Sequence, residues 1–273
     1  MSLKTVLITG STDGIGKQTA LELAQLGFEV ILHGRNPDRG AAVLSELRSS
    51  IPGTHFEYLN ADLSEPAQIQ RLAGQVSELA PRLDVLVHNA GIAMKEREIT
   101  PAGLELTFAV NHLAPFLLTH LLLDVLENAG SARVITVTSS AHSTGKIEFD
   151  NLQGERHFDG WQAYCDTKLM NVLFAYELAA RLTASGSRVT SNCLHPGVIA
   201  TKLLKSSFPS LQGASLAEGA ETSVYLATSL EVEAVSGKYF RKKRLAESSA
   251  LAQDTGLRAR LWEVSLGLAG LGN

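Results

Sequence analysis

Tyr164 and Lys168 are the residues whose types and spacing are best suited to moving a proton. They lie four positions apart in the helical pattern Ala163–Leu182, so their side chains are expected on one face of a helix. A free tyrosine has a pKa of about 10, and a nearby ammonium group favours the phenolate. The pair is therefore predicted to exchange a proton with a ligand as general acid and base.

The spacing is not specific by itself, because Tyr239 and Lys243 repeat it. The second match falls in a predicted strand, Lys238–Phe240, and in the basic run that follows. Residues four apart in a strand are ~13 Å apart and cannot share one ligand. We interpret this match as coincidence and the basic run as solvated.

Other strand ends carry polar residues that could join Tyr164. Ser139 and Ser140 follow the predicted strand Arg133–Val137, and Asn89 closes the strand before it. Ligands of parallel α/β sheets bind at the carboxyl ends of the strands. Either serine could therefore lie beside the tyrosine.

Asn111 lies in an otherwise apolar helical stretch, Ala102–Glu127. A buried asparagine needs polar partners, because an unpaired amide costs stability. A role at the site would provide such partners, and a structural asparagine that bends the helix is the alternative.

A glycine-rich turn follows the first predicted strand. It reads Gly10-Ser11-Thr12-Asp13-Gly14-Ile15-Gly16 and leads into a helix. Such a turn lets the backbone approach a pyrophosphate, and the helix N-terminus offers free N–H groups. A nucleoside-triphosphate loop is excluded, since Ser11 and Gln18 stand where it requires glycine and Ser or Thr. A glycine turn without a ligand is the alternative.

The end of the second predicted strand indicates which dinucleotide would bind. NAD sites place an acidic residue there, whereas NADP sites place an arginine. The chain has Arg35 and Asn36 there, with no acid before Asp38. Arg35 can hold a phosphate through charged hydrogen bonds, so NADP(H) is predicted. A solvated loop charge is the alternative for Arg35.

Strand and helix patterns alternate along the whole chain. The predicted strands are Thr5–Ile8, Glu29–Leu32, His55–Leu59, Val85–Val87, Arg133–Val137, Val189–Leu194 and Lys238–Phe240. The clearest helical patterns are Gly16–Leu26, Asp38–Ser49, Pro66–Leu79, Ala102–Glu127 and Ala163–Leu182. This alternation predicts an α/β single-domain Rossmann fold over residues 1–273, with a doubly wound, mostly parallel seven-stranded sheet and helices on both faces. Residues 202–217 lack periodicity and are predicted to form a substrate lid.

The composition of the chain limits the classes of molecule that it is expected to bind. A net charge of −4 leaves no basic surface for nucleic acid. Two cysteines exclude a disulfide framework, and neither they nor the histidines show metal-ligand spacing. No signal-peptide pattern and no apolar run of the ~20 residues needed to cross a bilayer occurs. We therefore expect a cytoplasmic protein without a metal, a membrane anchor or a nucleic-acid partner.

In sequence order these motifs resemble the short-chain dehydrogenase/reductase superfamily, over roughly residues 3–240. The matching segments are TGSTDGIG, Asp62-Leu63, HNAG, Asn111, Ser139, YCDTK and His195-Pro196-Gly197 with Thr201. Segments similar to its retinol-dehydrogenase-like branch include Asn111-His112-Leu113, Ser139-Ser140-Ala141-His142 and Leu261-Trp262-Glu263. Two features depart from that branch. We expect no membrane anchor before the first strand, which counts against a membrane retinoid substrate, and Ala114-Pro115 replaces a small residue and a histidine.

The resemblance implies an oxidoreductase that transfers hydride between NADP(H) and a small-molecule carbonyl or alcohol. Tyr164 would donate or accept the proton, and Ser139, placed just before Ala141-His142, would orient the carbonyl oxygen. Lys168 would also hold the nicotinamide ribose, and Asn111 would complete a proton relay. The cofactor-binding residues it implies, together with those argued above, are Gly10, Ser11, Thr12, Asp13, Gly14, Ile15, Gly16, Arg35, Asn36, Asp62, Leu63, Asn89, Ala90, Gly91, Tyr164, Lys168, Pro196, Gly197, Val198 and Thr201.

The sequence alone leaves several expectations open. A catalytically silent NADP(H)-binding regulator with the same fold is the alternative function. The helices at 102–127 and 163–182 would form the subunit interface of a homodimer or homotetramer. The apolar stretch Leu257–Leu271 is expected over the substrate cleft or at such an interface. His142 is expected at the substrate mouth or as a strand cap, and His195 as a hydrogen-bonded turn residue.

Overall fold

The computed structural model describes residues 3–272, in which eight strands form one sheet. They are β1 (Thr5–Ile8), β2 (Glu29–Gly34), β3 (Phe56–Asn60), β4 (Val85–His88), β5 (Arg133–Val137), β6 (Thr190–His195), β7 (Tyr239–Arg241) and β8 (Arg244–Leu245). Their spatial order is β3-β2-β1-β4-β5-β6-β7-β8, and all pairs are parallel except β7 with β8. The order reverses between β1 and β4, where a doubly wound sheet opens a crevice for ligands. The predicted α/β Rossmann architecture is confirmed.

Helices cover both faces of the sheet. They are α1 (Gly14–Gln25), α2 (Pro37–Ser50), α3 (Pro66–Leu79), α4 (Leu106–Phe108), α5 (Ala114–Leu121), α6 (Leu123–Asn128), α7 (Gly160–Ala184), α8 (Lys202–Ser207), α9 (Leu216–Thr228), α10 (Ala250–Gln253) and α11 (Thr255–Leu268). None of the helices within residues 3–272 has both the length and the apolar character needed to cross a membrane.

The core lies on both sides of the strands, because successive strand residues point to opposite faces. Leu7 and Leu86 pack with α3, α5 and α7, while Val6 and Val85 pack with α1, α2 and α9. All four side chains are buried. The central strands are therefore mostly apolar, and their buried polar residues, such as His88 and Thr136, lie at or near the strand ends.

The eighth strand corrects the prediction of seven. β8 has two residues and pairs with β7 across a tight turn, in which Lys242 and Lys243 have φ of 51° and 61°. Positive φ at both central residues is typical of a two-residue hairpin turn. So short a strand has no alternation for a sequence pattern to detect. Tyr239 is buried in β7 and Lys243 is exposed, so the second tyrosine–lysine match forms no pair.

The predicted helix Ala102–Glu127 is broken in the structure. It begins at Leu106 and widens into a π-helical turn over Ala109–Leu113. Pro115 has no N–H to donate to the carbonyl oxygen of Asn111, which removes one α-helical hydrogen bond at this turn. The break places Asn111 in the wide turn, next to the sheet.

The C-terminal helix α11 packs on α5 and α7. The ring of Trp262 meets Phe116 and Phe174, with centroids 4.9 and 6.2 Å away. Residues 167–176 of α7 are all buried within the chain. This part of α7 therefore has no exposed face, and the subunit interface expected at that helix stays a prediction.

Candidate active site

Asn89 holds the glycine-rich turn against the end of β4. Its Nδ2 donates to the carbonyl oxygens of Thr9 and Gly10, at 2.9 and 3.0 Å. Gly10 has a φ of 65°, which residues with a Cβ rarely adopt. A Cβ on Gly16 would lie 2.4 Å from Asn89 Nδ2, so glycine is needed for α1 to approach this amide. The N-terminus of α1 is thus presented at the carboxyl edge of the sheet, a position suited to phosphate.

Ser11 and Asp13 make different interactions in the turn. Ser11 is fully buried, and its Oγ donates to the Ile8 carbonyl and accepts the His33 N–H, both at 2.9 Å. Asp13 caps α1 and forms an ion pair with Lys202 on α8. The hydrogen bond from Lys202 holds the pKa of Asp13 below its usual range. A charged bridge therefore joins the turn to the segment predicted as a lid.

Two exposed arginines follow β2: Arg35 lies in the loop and Arg39 in the first turn of α2. Asn36 Oδ1 accepts the Arg39 N–H at 2.9 Å and caps α2. The Tyr58 hydroxyl lies 2.9 Å from the carbonyl oxygens of Gly34 and Asn36. These bonds fix the backbone of the loop, so a phosphate placed there would meet two guanidinium groups.

Tyr164, Ser139 and Lys168 meet at the carboxyl edge of β5. The Ser139 side chain lies within hydrogen-bonding reach of Tyr164 and acts to lower its pKa. Lys168 Nζ lies 5.5 Å from the centroid of the Tyr164 ring and donates to the Val137 carbonyl oxygen at 3.3 Å. Ser139, rather than Ser140, is therefore the serine that faces the tyrosine.

Burial governs the protonation of Tyr164 and Lys168. It raises the pKa of Tyr164 to about 12, although the hydrogen bond with Ser139 acts in the opposite direction. It lowers the pKa of Lys168 to about 8. Desolvation of the phenolate is the largest cause of the rise in the tyrosine pKa, and the expected favouring of the phenolate by the lysine stays a prediction. Tyr164 is a neutral phenol that can donate its proton at neutral pH.

Asn111 is fully buried behind these residues, in the π-helical turn. Its Oδ1 accepts the Ile92 N–H at 2.8 Å, and its Nδ2 donates to the Ile92 carbonyl oxygen at 2.8 Å and to Thr167 Oγ1 at 3.0 Å. The side chain ties the loop after β4 to α7, which agrees with the structural alternative. Its part in a proton relay stays a prediction.

One cavity of about 950 Å³ brings most of the predicted residues together. Every predicted site residue lines it except Ser11, Gly16 and Asn111, which support the wall from behind. The cavity runs from Arg35, past the glycine-rich turn, to Tyr164, and so crosses the reversal between β1 and β4. Doubly wound sheets bind dinucleotides at this place.

Several lining residues were missed by the sequence analysis. Arg39 could have been found as a second arginine close after Arg35, and Trp161 as an aromatic residue three positions before Tyr164. The Trp161 ring stacks on Tyr164 at 5.3 Å, and Phe208 meets Trp161 edge-on at 5.0 Å. Phe208 comes from the segment predicted as a lid, and no sequence pattern signals this contact.

His33 also lines the cavity, at the end of β2. Its Nδ1 accepts the Gly10 N–H at 3.3 Å, and its Nε2 lies 3.1 Å from the Ala61 carbonyl oxygen. Burial lowers its pKa to about 4, so the neutral ring joins the glycine-rich turn to β2 and to the residue that follows β3.

Two predicted contributors to the substrate cleft lie elsewhere. His142 is buried and does not line the cavity, so its placement at the substrate mouth is wrong. Helix α11 contributes nothing to the cavity wall either, and covers α5 and α7 instead. The apolar wall near Tyr164 comes from α8 and the residues after it, including Leu203 and Leu211.

The chemistry of the cavity fits NADP(H). The N-terminus of α1 suits a pyrophosphate, two arginines suit a 2′-phosphate, and Lys168 beside Tyr164 suits the end where chemistry would occur. No group of three or more His, Cys, Asp or Glu residues in the described part of the chain is arranged to hold a metal ion.

Comparison with known proteins identifies the family to which the chain is similar. Residues 4–212 match the short chain dehydrogenase family. Human retinol dehydrogenase 11 is 39% identical over 276 residues, covering 98% of this chain and 86% of that protein. Human retinol dehydrogenase 13 is 40% identical over 283 residues, covering 98% and 85%.

Solved structures agree with these relatives. An uncharacterized protein from Mycobacterium paratuberculosis superposes with a TM-score of 0.83 at 32% identity, covering 98% of this chain and 94% of that chain. A short chain dehydrogenase from Escherichia coli, complexed with NADPH, has a TM-score of 0.72 at 26% identity, covering 88% and 97%. From its motifs, its sheet and these matches, the chain belongs to the short chain dehydrogenase family of oxidoreductases, in the retinol-dehydrogenase-like branch.

Proposed function

We propose that this protein transfers hydride between NADP(H) and a carbonyl or alcohol substrate, with Tyr164 as the general acid and base. The observation that carries this proposal is the meeting of Tyr164, Ser139 and Lys168 in the cavity that also holds the glycine-rich turn. A binding protein has no need of a buried phenol, a hydroxyl donor and a buried lysine at one point.

In the direction of reduction, bound NADPH would supply the hydride. Ser139 would donate a hydrogen bond to the substrate oxygen, where negative charge develops. Tyr164, a neutral phenol, would donate its proton to that oxygen. Lys168, protonated below about pH 8, would stabilise the phenolate that remains, since its Nζ lies 5.5 Å from the ring. In oxidation Tyr164 would take the proton back.

The preference for NADP(H) rests on the loop after β2. Arg35 and Arg39 both line the cavity there, and the sequence has no acidic residue to hold a ribose hydroxyl before Asp38. The NADPH bound to the related Escherichia coli structure supports the same choice. We expect Arg35 to read the 2′-phosphate, with Arg39 beside it.

The substrate end of the cavity is apolar. Trp161 and Phe208 form an aromatic corner at Tyr164, and Leu203, Leu204 and Leu211 extend it. This wall favours a carbonyl with an apolar substituent, in line with relatives named retinol dehydrogenases.

Two free buried cysteines agree with a cytoplasmic location. A homodimer or homotetramer would need a surface other than the middle of α7.

The test is turnover of NADPH with a panel of carbonyls: retinal, nonanal and acetophenone. The wild-type protein should oxidise NADPH with at least one of them, and Tyr164→Phe should lower kcat by about a thousandfold or more, as expected for loss of the acid. Tyr225→Phe, which removes an exposed hydroxyl bonded to Glu231, is the matched control and should remain active.

The outcomes separate the two functions. Turnover that persists in Tyr164→Phe would show that Tyr164 is not the acid. Tight NADPH binding without turnover of any carbonyl or alcohol would instead favour the catalytically silent regulator.

A further inference from the structure

Two histidines hold the peptide group that follows Ser139. The carbonyl oxygen of Ser139 lies 2.7 Å from His142 Nδ1. The N–H of Ser140, in the same peptide group, donates to His195 Nδ1 at 3.1 Å. The two polar ends of one peptide group are thus each bonded to an imidazole, and this peptide leads directly out of the serine that faces Tyr164.

The hydrogen bonds determine the tautomer of each ring. His142 Nε2 accepts the Ser249 N–H at 3.2 Å, so Nδ1 carries the hydrogen and donates to Ser139. His195 Nδ1 is an acceptor, so a neutral His195 carries its hydrogen on Nε2. Opposite tautomers are therefore required, and each ring must be neutral or lose one of these bonds.

We propose that His142 and His195 form a clamp on the Ser139–Ser140 peptide, and that this clamp positions the Ser139 hydroxyl for the proposed reaction. The hydroxyl is already the N-cap of the short helical turn Ser140–Thr144, and accepts the Ala141 N–H at 3.2 Å. Its place therefore follows the plane of that peptide. The proposal rests on the proposed function, because it assigns the two rings a role through Ser139.

The surroundings keep both rings uncharged. Burial and the positive charge of Arg241, the β7 residue opposite His195, lower the pKa of His195 to about 4. Burial also lowers the pKa of His142, whose ring packs on Tyr239 at 4.9 Å. Among the described residues, the titratable groups that face the clamp are the two histidines, Arg241, Tyr239 and Tyr164, and none supplies a carboxylate to hold a charged imidazole. Both ring acceptors are thus available at neutral pH.

The clamp can be tested with paired amide substitutions. Asparagine places a polar atom near the position of Nδ1, whereas glutamine places one near Nε2. His142→Asn and His195→Asn should therefore keep the bonds to the peptide, while His142→Gln and His195→Gln should lose them. His55→Gln changes an exposed histidine before β3 and is the control for a histidine-to-glutamine substitution outside the clamp.

We expect each glutamine variant to lower kcat for NADPH and nonanal or retinal, whichever the wild-type protein reduces faster, by about 10- to 100-fold, as for a misplaced catalytic group. Each asparagine variant should lose no more than about threefold. The NADP⁺ affinity from thermal shift should not change in the His142 variants, since His142 does not line the cavity. Imidazole ¹⁵N spectra of the wild-type protein should show His142 protonated at Nδ1 and His195 at Nε2.

A second arm places the glutamine substitutions in a Ser139→Ala background. If the clamp acts through Ser139, they should cause no further loss there. An equal further loss, or equal effects of asparagine and glutamine, would overturn the clamp and leave the proposed function intact. A Ser139→Ala variant with wild-type turnover would instead contradict the proposed function itself.

Discussion

At the residue scale, Lys168 holds a charge in surroundings that disfavour it. The residue is 4% exposed, and burial lowers its pKa from 10.5 to about 8. Below pH 8 the folded protein carries this buried charge, which costs about 3 kcal/mol of stability. The cost declines from about pH 8 to 10.5, where the folded protein has released the proton and the unfolded chain still binds it.

Lys168→Met should therefore separate activity from stability. We expect turnover to fall to background and the melting temperature at pH 7 to rise, with the gain shrinking as pH increases above 8. Lys243→Met is the matched control, because Lys243 belongs to the other tyrosine–lysine match and its side chain is 49% exposed. Calorimetry at pH 7 and pH 9.5 checks this. A melting temperature below that of the wild-type protein at pH 7 would contradict it.

At the scale of elements, α11 completes the packing of α5 and α7. Trp262 is 6% exposed, and the guanidinium of Arg181 on α7 lies 4.6 Å from its ring. Ser265 Oγ and His112 Nε2 are 2.8 Å apart, which joins α11 to the π-helical turn. Because the turn also holds Asn111, the C-terminal helix supports the site from behind while lying outside the cavity.

Trp262→Ala should destabilise the protein by about 3–5 kcal/mol, as large-to-small substitutions of buried aromatic residues do. Trp161→Ala is the matched control: Trp161 is 45% exposed at the cavity wall, so its removal should change stability by about 0.5 kcal/mol and affect mainly the substrate KM. Urea unfolding followed by circular dichroism distinguishes them. A loss of only about 0.5 kcal/mol in Trp262→Ala would show that α11 is not a structural part of the core.

At the scale of the whole molecule, the cavity joins the two halves of the sheet. Arg35 and the glycine-rich turn belong to the half containing β1, β2 and β3, and Tyr164 and Thr201 belong to the half beyond β4. A ligand that fills this cavity contacts both halves at once. Binding should therefore stabilise the protein as a unit.

NADP⁺ at about 100 times its Kd should stabilise the fold by about 2.7 kcal/mol, a rise of about 5–10 °C in Tm. Arg35→Ala should lower this shift by at least half for NADP⁺ and leave the shift with NAD⁺ unchanged. Arg188→Ala, an exposed arginine before the start of β6, should behave as the wild-type protein. Equal losses with both dinucleotides would mean that Arg35 does not read the 2′-phosphate.

Much of the fold and of the candidate site could be predicted because these features depend on residues that are neighbours in the sequence. Strands β1 to β6, the glycine-rich turn and the helix carrying Tyr164 and Lys168 each follow from the periodicity or turn chemistry of neighbouring residues. Local patterns failed where a short or broken element depends on its surroundings. The two residues of β8 form a strand only because β7 lies beside them, and the π-helical turn before Pro115 interrupts a helix that periodicity alone would continue.

By itself, the sequence determined the family motifs, the sheet and the pairing of Tyr164 with Lys168. Only the tertiary structure decided that Ser139 lies within reach of the tyrosine, and that burial raises the pKa of Tyr164 and lowers the pKa of Lys168. It also brought His142 and His195 to one peptide group. The physical reason is that burial and hydrogen-bond partners depend on residues far apart in the chain. The Ser140–His195 bond, for example, joins residues 55 positions apart, beyond the reach of any local pattern.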